Sequence, residues 1–237
     1  MAKIKELFAR ERRQYLIFLG VSFVAAISTG ILYFSKFQSF QLYFGKINPI
    51  LTVITIVITG LILLTFLLSK SWFVIYRSGI WKERLYTLIL AFLLALIIIG
   101  VDIRVVLPKD MNILFPESLL FYPAIGLVVE ILFHLFPLTL LLVILPVLFK
   151  KVSFEIILWF SLIAVSLLEP TYQTIAGPSG QYPLWSVIYI WIHIFLINIF
   201  QLIIFKHYDF VTMYSFRLAY YLLWHIVWGK MRLDFLF

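Results

Sequence analysis

An all-α polytopic transmembrane helical bundle is the fold class this sequence predicts, on three observations. Of its 237 residues, 64% are hydrophobic and only 13% are charged. Its mean hydropathy is +1.08. Apolar runs of about 20 residues, the length that crosses a bilayer, recur along it. A soluble domain is about half apolar and a quarter charged, so this chain has too little polar surface to coat a globule. It contains no cysteine, which excludes a disulfide framework, a thiolate metal site and a thiol nucleophile. Its formal charge of +8 is read as orientation and lipid contact, with no nucleic-acid partner.

Residues 1–14, "MAKIKELFARERRQ", form the first part: a basic amphipathic segment expected on the inner membrane surface. Residues 15–237 form a single transmembrane domain. No cleavable signal peptide is expected, because the first apolar run lacks a small-residue cleavage site. The expected spans are Tyr15–Phe34, Pro49–Leu68, Leu85–Val101, Leu119–Phe149, Phe154–Leu168, Pro183–Phe205 and Phe210–Trp228. That makes about seven, with Leu119–Phe149 either one long helix or two halves broken at Pro137, which cannot complete a backbone bond. The loop "EPTYQTIAGPSGQYP" follows the short fifth span.

Charge asymmetry orients the bundle. With a cytoplasmic N-terminus, twelve lysines and arginines fall on inner segments and six on outer ones, the latter being Lys36, Lys46, Arg104, Lys109, Lys230 and Arg232. Trp72, Trp81, Trp185 and Trp228 read as interfacial anchors. Asp102, Arg104 and Glu155 read as helix-end charges. The expected location is integral to a membrane, that of a prokaryotic cell.

The functional information lies in polar groups within the spans, where a central charge costs about 2.5–3.5 kcal/mol on insertion scales. Glu130 and His134 are at i and i+4, on one helix face. His193, Asn198 and Gln201 share an arc of the sixth span. Counting 1.5 Å per residue from the expected helix starts puts Glu130 and His193 at similar depth, where they would meet. Tyr214, Arg217, Tyr221 and His225 form a stripe on the seventh. Arg217, always charged, needs an acid, a carbonyl dipole or the head-group zone. Glu169 and Gln173 come one helical turn apart if the helix continues past Pro170. Each has a plainer role open to it: histidines and amides bond across membrane helices, and Arg217 can snorkel or pair.

A carboxylate in apolar surroundings can act as a general base or acid near neutrality. Glu130 could activate water, a neutral histidine could position that water, and Asn198 could donate to a developing oxyanion. Glu130, His134, His193 and His225 could alternatively bind Zn²⁺, and histidines alone leave haem open. A third reading is a non-enzymatic transporter or complex subunit with a proton or ion path.

At these residues the sequence resembles the CPBP family of intramembrane endopeptidases, the group of CAAX prenyl endopeptidases and bacteriocin-processing enzymes. "GLVVEILFHLFPLTLLL" is similar to its Glu-Glu-x-x-x-Arg motif, with Glu130 at the second glutamate, Val129 at the first and His134 at the arginine. "PLWSVIYIWIHIFLIN" is similar to its His-x-x-x-Asn motif through His193, with Asn198 one residue late. Glu169 and Gln173 of "EPTYQ" stand where the family has phenylalanine and histidine. The resemblance covers about residues 119–205. It implies a glutamic-type hydrolase: a Glu-activated water attacking a peptide bond at the membrane, without an obligatory metal, through Glu130, His134, His193 and Asn198. It equally implies an inactive relative that binds a membrane-associated peptide or protein. Glu169, Gln173, Gln201, Arg217, Tyr221 and His225 are expected to support that cluster, with membrane lipid as the other partner.

Overall fold

The structure, a computed structural model, describes residues 2–35, 40, 45–109, 111–176 and 183–237. Lys36 of the charge count and residues 177–182 of the glycine-rich loop lie outside these. Among the described residues the regular structure is entirely helical. In chain order it comprises α1 (Ala2–Arg10), α2 (Arg12–Phe34), α3 (Pro49–Ser69), α4 (Trp81–Val105) and α5 (Ser118–Val129). A π-helical turn (Glu130–Leu135) leads into α6 (Phe136–Leu148), followed by α7 (Phe154–Ser166), α8 (Leu168–Ala176) and α9 (Leu184–His207). The chain ends in α10 (Phe210–Tyr221), a second π-turn (Leu222–Trp228) and α11 (Gly229–Leu236).

Six helical stretches are long and apolar enough to cross a membrane: Arg12–Phe34, Pro49–Ser69, Trp81–Val105, Ser118–Leu148, Phe154–Ile175 and Leu184–His207. The chain is therefore a polytopic membrane protein. The expected seventh span, Phe210–Trp228, does not join them. Its first part, α10, is mostly buried, Arg217 included.

Local chemistry sets most boundaries. Asn48 caps α3, its Oδ1 accepting from the Ile50 and Leu51 amides, with Pro49 in the first turn. Asp209 caps α10 by accepting from the Thr212 amide at 2.6 Å. The expected fourth span is one continuous helical run, Ser118–Leu148, rather than two halves. Pro137 falls just after the first π-turn, where the wider turn relaxes the ladder that proline interrupts. The fifth span is longer than expected because the polypeptide resumes helix at Leu168, so "EPTYQTIA" is helix and not loop. Pro170 lies in the first turn of α8, where no intrahelical donor is needed.

Packing follows small residues. The buried face of α2, which includes Phe18, Ser22, Ala25, Ser28 and Thr29, lies against α5. That of α4, with Ala91 and Ala95, lies against α10. Small side chains let membrane helices approach closely. Apolar side chains cover the outside, Leu119, Ile144 and Phe160 among them, as a lipid-facing surface requires.

Two charged clasps tie the ends. At the end where α2, α4, α7 and α10 begin, called here the basic end, Asp209 accepts from the Arg77 amide and from Arg84, each at 2.8 Å. At the opposite end Asp102 and Arg232 are fully buried and paired twice, at 2.7 and 2.8 Å. Arg232 also donates to the carbonyls of Leu107 and Pro108, and Trp228 Nε1 donates to Asp102. Asp102 sits in the last turn of α4, the helix-end position expected, but buried and paired; Arg232 is no surface cation and Trp228 no interfacial anchor. Each is inside because its charge or N–H is satisfied there. Trp81 and Trp185 are exposed near helix starts, as expected of anchors.

Candidate functional site

Glu130 opens the first π-turn and is fully buried. Its Oε2 pairs with Nδ1 of His134 at 2.7 Å, the i and i+4 relation expected from sequence. Its Oε1 accepts from Nε of Arg217 at 2.7 Å and from the side-chain amide of Gln201. Arg217 is the hub. Its terminal nitrogens donate to Glu169 at 2.9 and 3.2 Å, to Gln201 Oε1 at 2.9 Å, to Tyr221 at 3.0 Å and to Asn198 Oδ1 at 3.5 Å. Gln201 bridges the ion pair, donating to the acid and accepting from the guanidinium. Gln173 donates to Glu169 at 3.0 Å, one turn along α8. Four helical elements therefore meet in one network: the π-turn, α8, α9 and α10.

A β-carbon built at Gly126 would lie in ordinary van der Waals contact with Tyr221 at 3.4 Å and with Arg217 and Tyr214 at 3.6 Å, so α10 packs beside α5 there. Tyr214 fixes the contact by donating to the Pro123 carbonyl at 2.7 Å.

Sequence expectation and structure differ on the histidines. His193 does not meet Glu130; its Nε2 is 3.2 Å from the Tyr220 hydroxyl, and its ring is stacked near Tyr189. The residue of α9 that reaches Glu130 is Gln201, eight positions further on, about 12 Å along the axis. The starts of α5 and α9 are not level, so depth counted from them fails. His225 is also elsewhere: its Nδ1 is 2.6 Å from Asn112 Oδ1, and its ring stacks on Tyr122 at 4.6 Å. The second π-turn begins after Tyr221 and widens the helix, so the polar stripe ends at Tyr221. Arg217, expected as a pairing or snorkelling residue, is the central one.

These positions do not suit the alternative zinc set. Glu130 and His134 pair with each other, while His193 and His225 go to separate partners. Among the described residues no group of three or more His, Asp or Glu is placed to hold a metal ion. Two polar atoms beside the network have no partner: Nε2 of His134 and Nδ2 of Asn198, both buried. An apolar cavity of about 210 Å³ lies on the outer side of Tyr221, between Leu119, Pro123, Leu218 and Ile226.

Fold and site together define a polytopic membrane protein with a buried ionic network. Comparison of the chain with protein-family models, curated proteins and solved structures gives no match.

Proposed function

We propose that this chain is a proton-coupled membrane protein, a transporter or complex subunit, whose proton is held between Glu130 and His134. One observation carries the reading: two buried carboxylates, Glu130 and Glu169, share the single cation Arg217. With His134 neutral the cluster has one negative charge in excess; a proton taken up there removes it. A buried net charge is costly at low dielectric, and neutrality is the favoured state. Ionisable groups paired inside a bundle are the usual components of proton paths. The two π-turns support the same reading, since such turns mark functional irregularities, and here each carries a histidine.

Infrared difference spectra of the reconstituted protein, between mildly acidic and mildly alkaline buffer, test this. Carboxyl and imidazole bands are expected in the wild type and should be lost in Glu130→Gln and His134→Asn. Identical spectra for the three proteins would remove the reading.

A second reading, the glutamic-type CPBP-like endopeptidase or a substrate-binding relative without activity, is favoured by the two unpartnered nitrogens. Asn198 Nδ2 and His134 Nε2 belong to side chains of the network and are free to bond a substrate carbonyl or a water. Mass spectrometry of new peptide N-termini, after co-reconstitution with membrane proteins, decides it. Cleavage by the wild type that Glu130→Gln abolishes would favour this reading; an identical set of termini would discard it.

A further inference from the structure

The network is not placed symmetrically between the two ends of the bundle, and this bears on how a proton reaches it. Toward the end where α8 stops, the polar groups continue without interruption. Glu130 is joined through Arg217 to Glu169, and Glu169 to Gln173, which is exposed. Toward the basic end the polar groups stop. Phe205 follows Gln201 by four residues and Phe210 precedes Arg217 by seven, about 6 and 10 Å along their helices. Phe205 is stacked on Phe73 at 4.4 Å and meets Phe210 at 6.1 Å, and Phe210 meets Phe18 at 5.9 Å. All four phenylalanines are buried. Phe18 in turn lies beside Gly60 and Ile131, directly under the π-turn. This apolar layer separates Glu130 from the Asp209 clasp, the next charged group in that direction.

The charged surroundings agree. Glu130 is faced by His134 of its own turn, by Arg217, Tyr214 and Tyr221 of α10, and through Arg217 by Glu169 of α8. Of the other helices packed on that turn, α3 and α6 carry no ionisable side chain. α5 brings Tyr122, and α7 only Glu155, near the basic end. No second chain of polar groups crosses the phenylalanine layer among the described residues.

We infer that the proton site exchanges with one side of the membrane only, the side of Glu169 and Gln173, and that Phe18, Phe73, Phe205 and Phe210 seal it from the other. The inference rests on the proton-binding reading above. It assigns the structure to one of the two access states that an alternating transporter must visit.

The experiment is a sided pH jump on proteoliposomes, read by the Glu130-dependent infrared band. The chain has no native cysteine, so single cysteines at Lys151 and Ile175, both exposed, report each end's orientation to a membrane-impermeant maleimide. A jump on the Ile175 side should shift the band promptly; a jump on the Lys151 side should act more slowly by about tenfold or more. Phe210→Leu should narrow that difference. Where this variant does not fold, Phe18→Leu serves. Equal rates from the two sides in the wild type, faster access from the Lys151 side, or a folded layer variant with unchanged sidedness would overturn the inference. In the first two cases the proton site itself would stand. Absence of any Glu130-dependent band would instead remove the proton-binding reading and this inference with it.

Discussion

Arg217 and Glu130, 87 positions apart in the chain, are joined at 2.7 Å through Nε, while the other face of the same guanidinium holds Glu169 at 2.9 Å. The planar fork of arginine is what makes this possible: its donors address two carboxylates, two amide oxygens and a phenol at once. A lysine has no such fork.

Removal of Arg217 should therefore be severe. Arg217→Met leaves two buried carboxylates without a cation and is expected to destabilise the protein by about 3–5 kcal/mol. Arg217→Lys should recover only part of this, because a point charge cannot reach both acids. Adding Glu130→Gln to Arg217→Met should give back a measurable share, since the uncompensated charge is what costs most. Unfolding in detergent, followed by tryptophan fluorescence, measures all three. A hub of this kind, joining four helical elements, is ruled out if Arg217→Met unfolds like the wild type.

The clasp at the other end offers a control. Arg232 pairs with Asp102 at full burial and also satisfies two carbonyls. Arg232→Met should lower stability by about 3–5 kcal/mol without altering the Glu130-dependent infrared band. Loss of that band in the folded variant would mean the two networks are coupled, which their separate partners do not suggest.

The part of the site that the sequence made legible is the part written at helical spacing. Glu130 with His134, and Glu169 with Gln173, are i and i+4 pairs expected on one helix face, and the members of each pair are bonded to one another. The long apolar runs likewise fix the class of fold, since little else fits a bilayer. What was not legible is pairing across distance. Arg217 finds Glu169 from 48 residues away and Arg232 finds Asp102 from 130. No local pattern encodes that. One signal was present: an arginine inside a span requires an acid, and Glu130 lay within a span, with Glu169 at the end of another. His193 was misplaced for a different reason. Its depth depended on level helix starts, and the offset between α5 and α9 brings Gln201 to Glu130 instead.

Gly60 marks the closest approach beneath the π-turn. A β-carbon built there would lie 2.7 Å from Cδ1 and 2.9 Å from Cγ1 of Ile131, and 3.3 Å from Phe18. Ile131 is fully buried and directly follows Glu130, so it has little room to rotate away. Gly60→Ala should cost about 1–3 kcal/mol through overpacking. Gly30, with nothing within 4 Å of a β-carbon, is the matched helical control. Gly30→Ala should be neutral or slightly stabilising. Comparable thermal midpoints for the two variants would show that α3 does not bear on the turn as tightly as described.

Asp209 organises the basic end through two different atoms, and the two roles can be separated. Oδ1 caps α10 by accepting the Thr212 amide at 2.6 Å; Oδ2 accepts the Arg77 amide and Arg84, each at 2.8 Å. Asp209→Ala removes cap and clasp together and should cost about 1–3 kcal/mol. Asn is as good a cap as Asp but brings no charge to Arg84, so Asp209→Asn should recover the cap's share and leave the rest lost. Arg84→Met should cost at least as much as Asp209→Asn, because it removes the same pair and also the bonds of Arg84 to Thr212 and to the Arg77 carbonyl. Arg84 is partly exposed, so its contribution should shrink as salt is raised, whereas the cap should not respond. Denaturation midpoints for the three variants at low and high salt give the comparison. Equal losses for Asp209→Asn and Asp209→Ala would show that the clasp, and not the cap, holds the start of α10 in place.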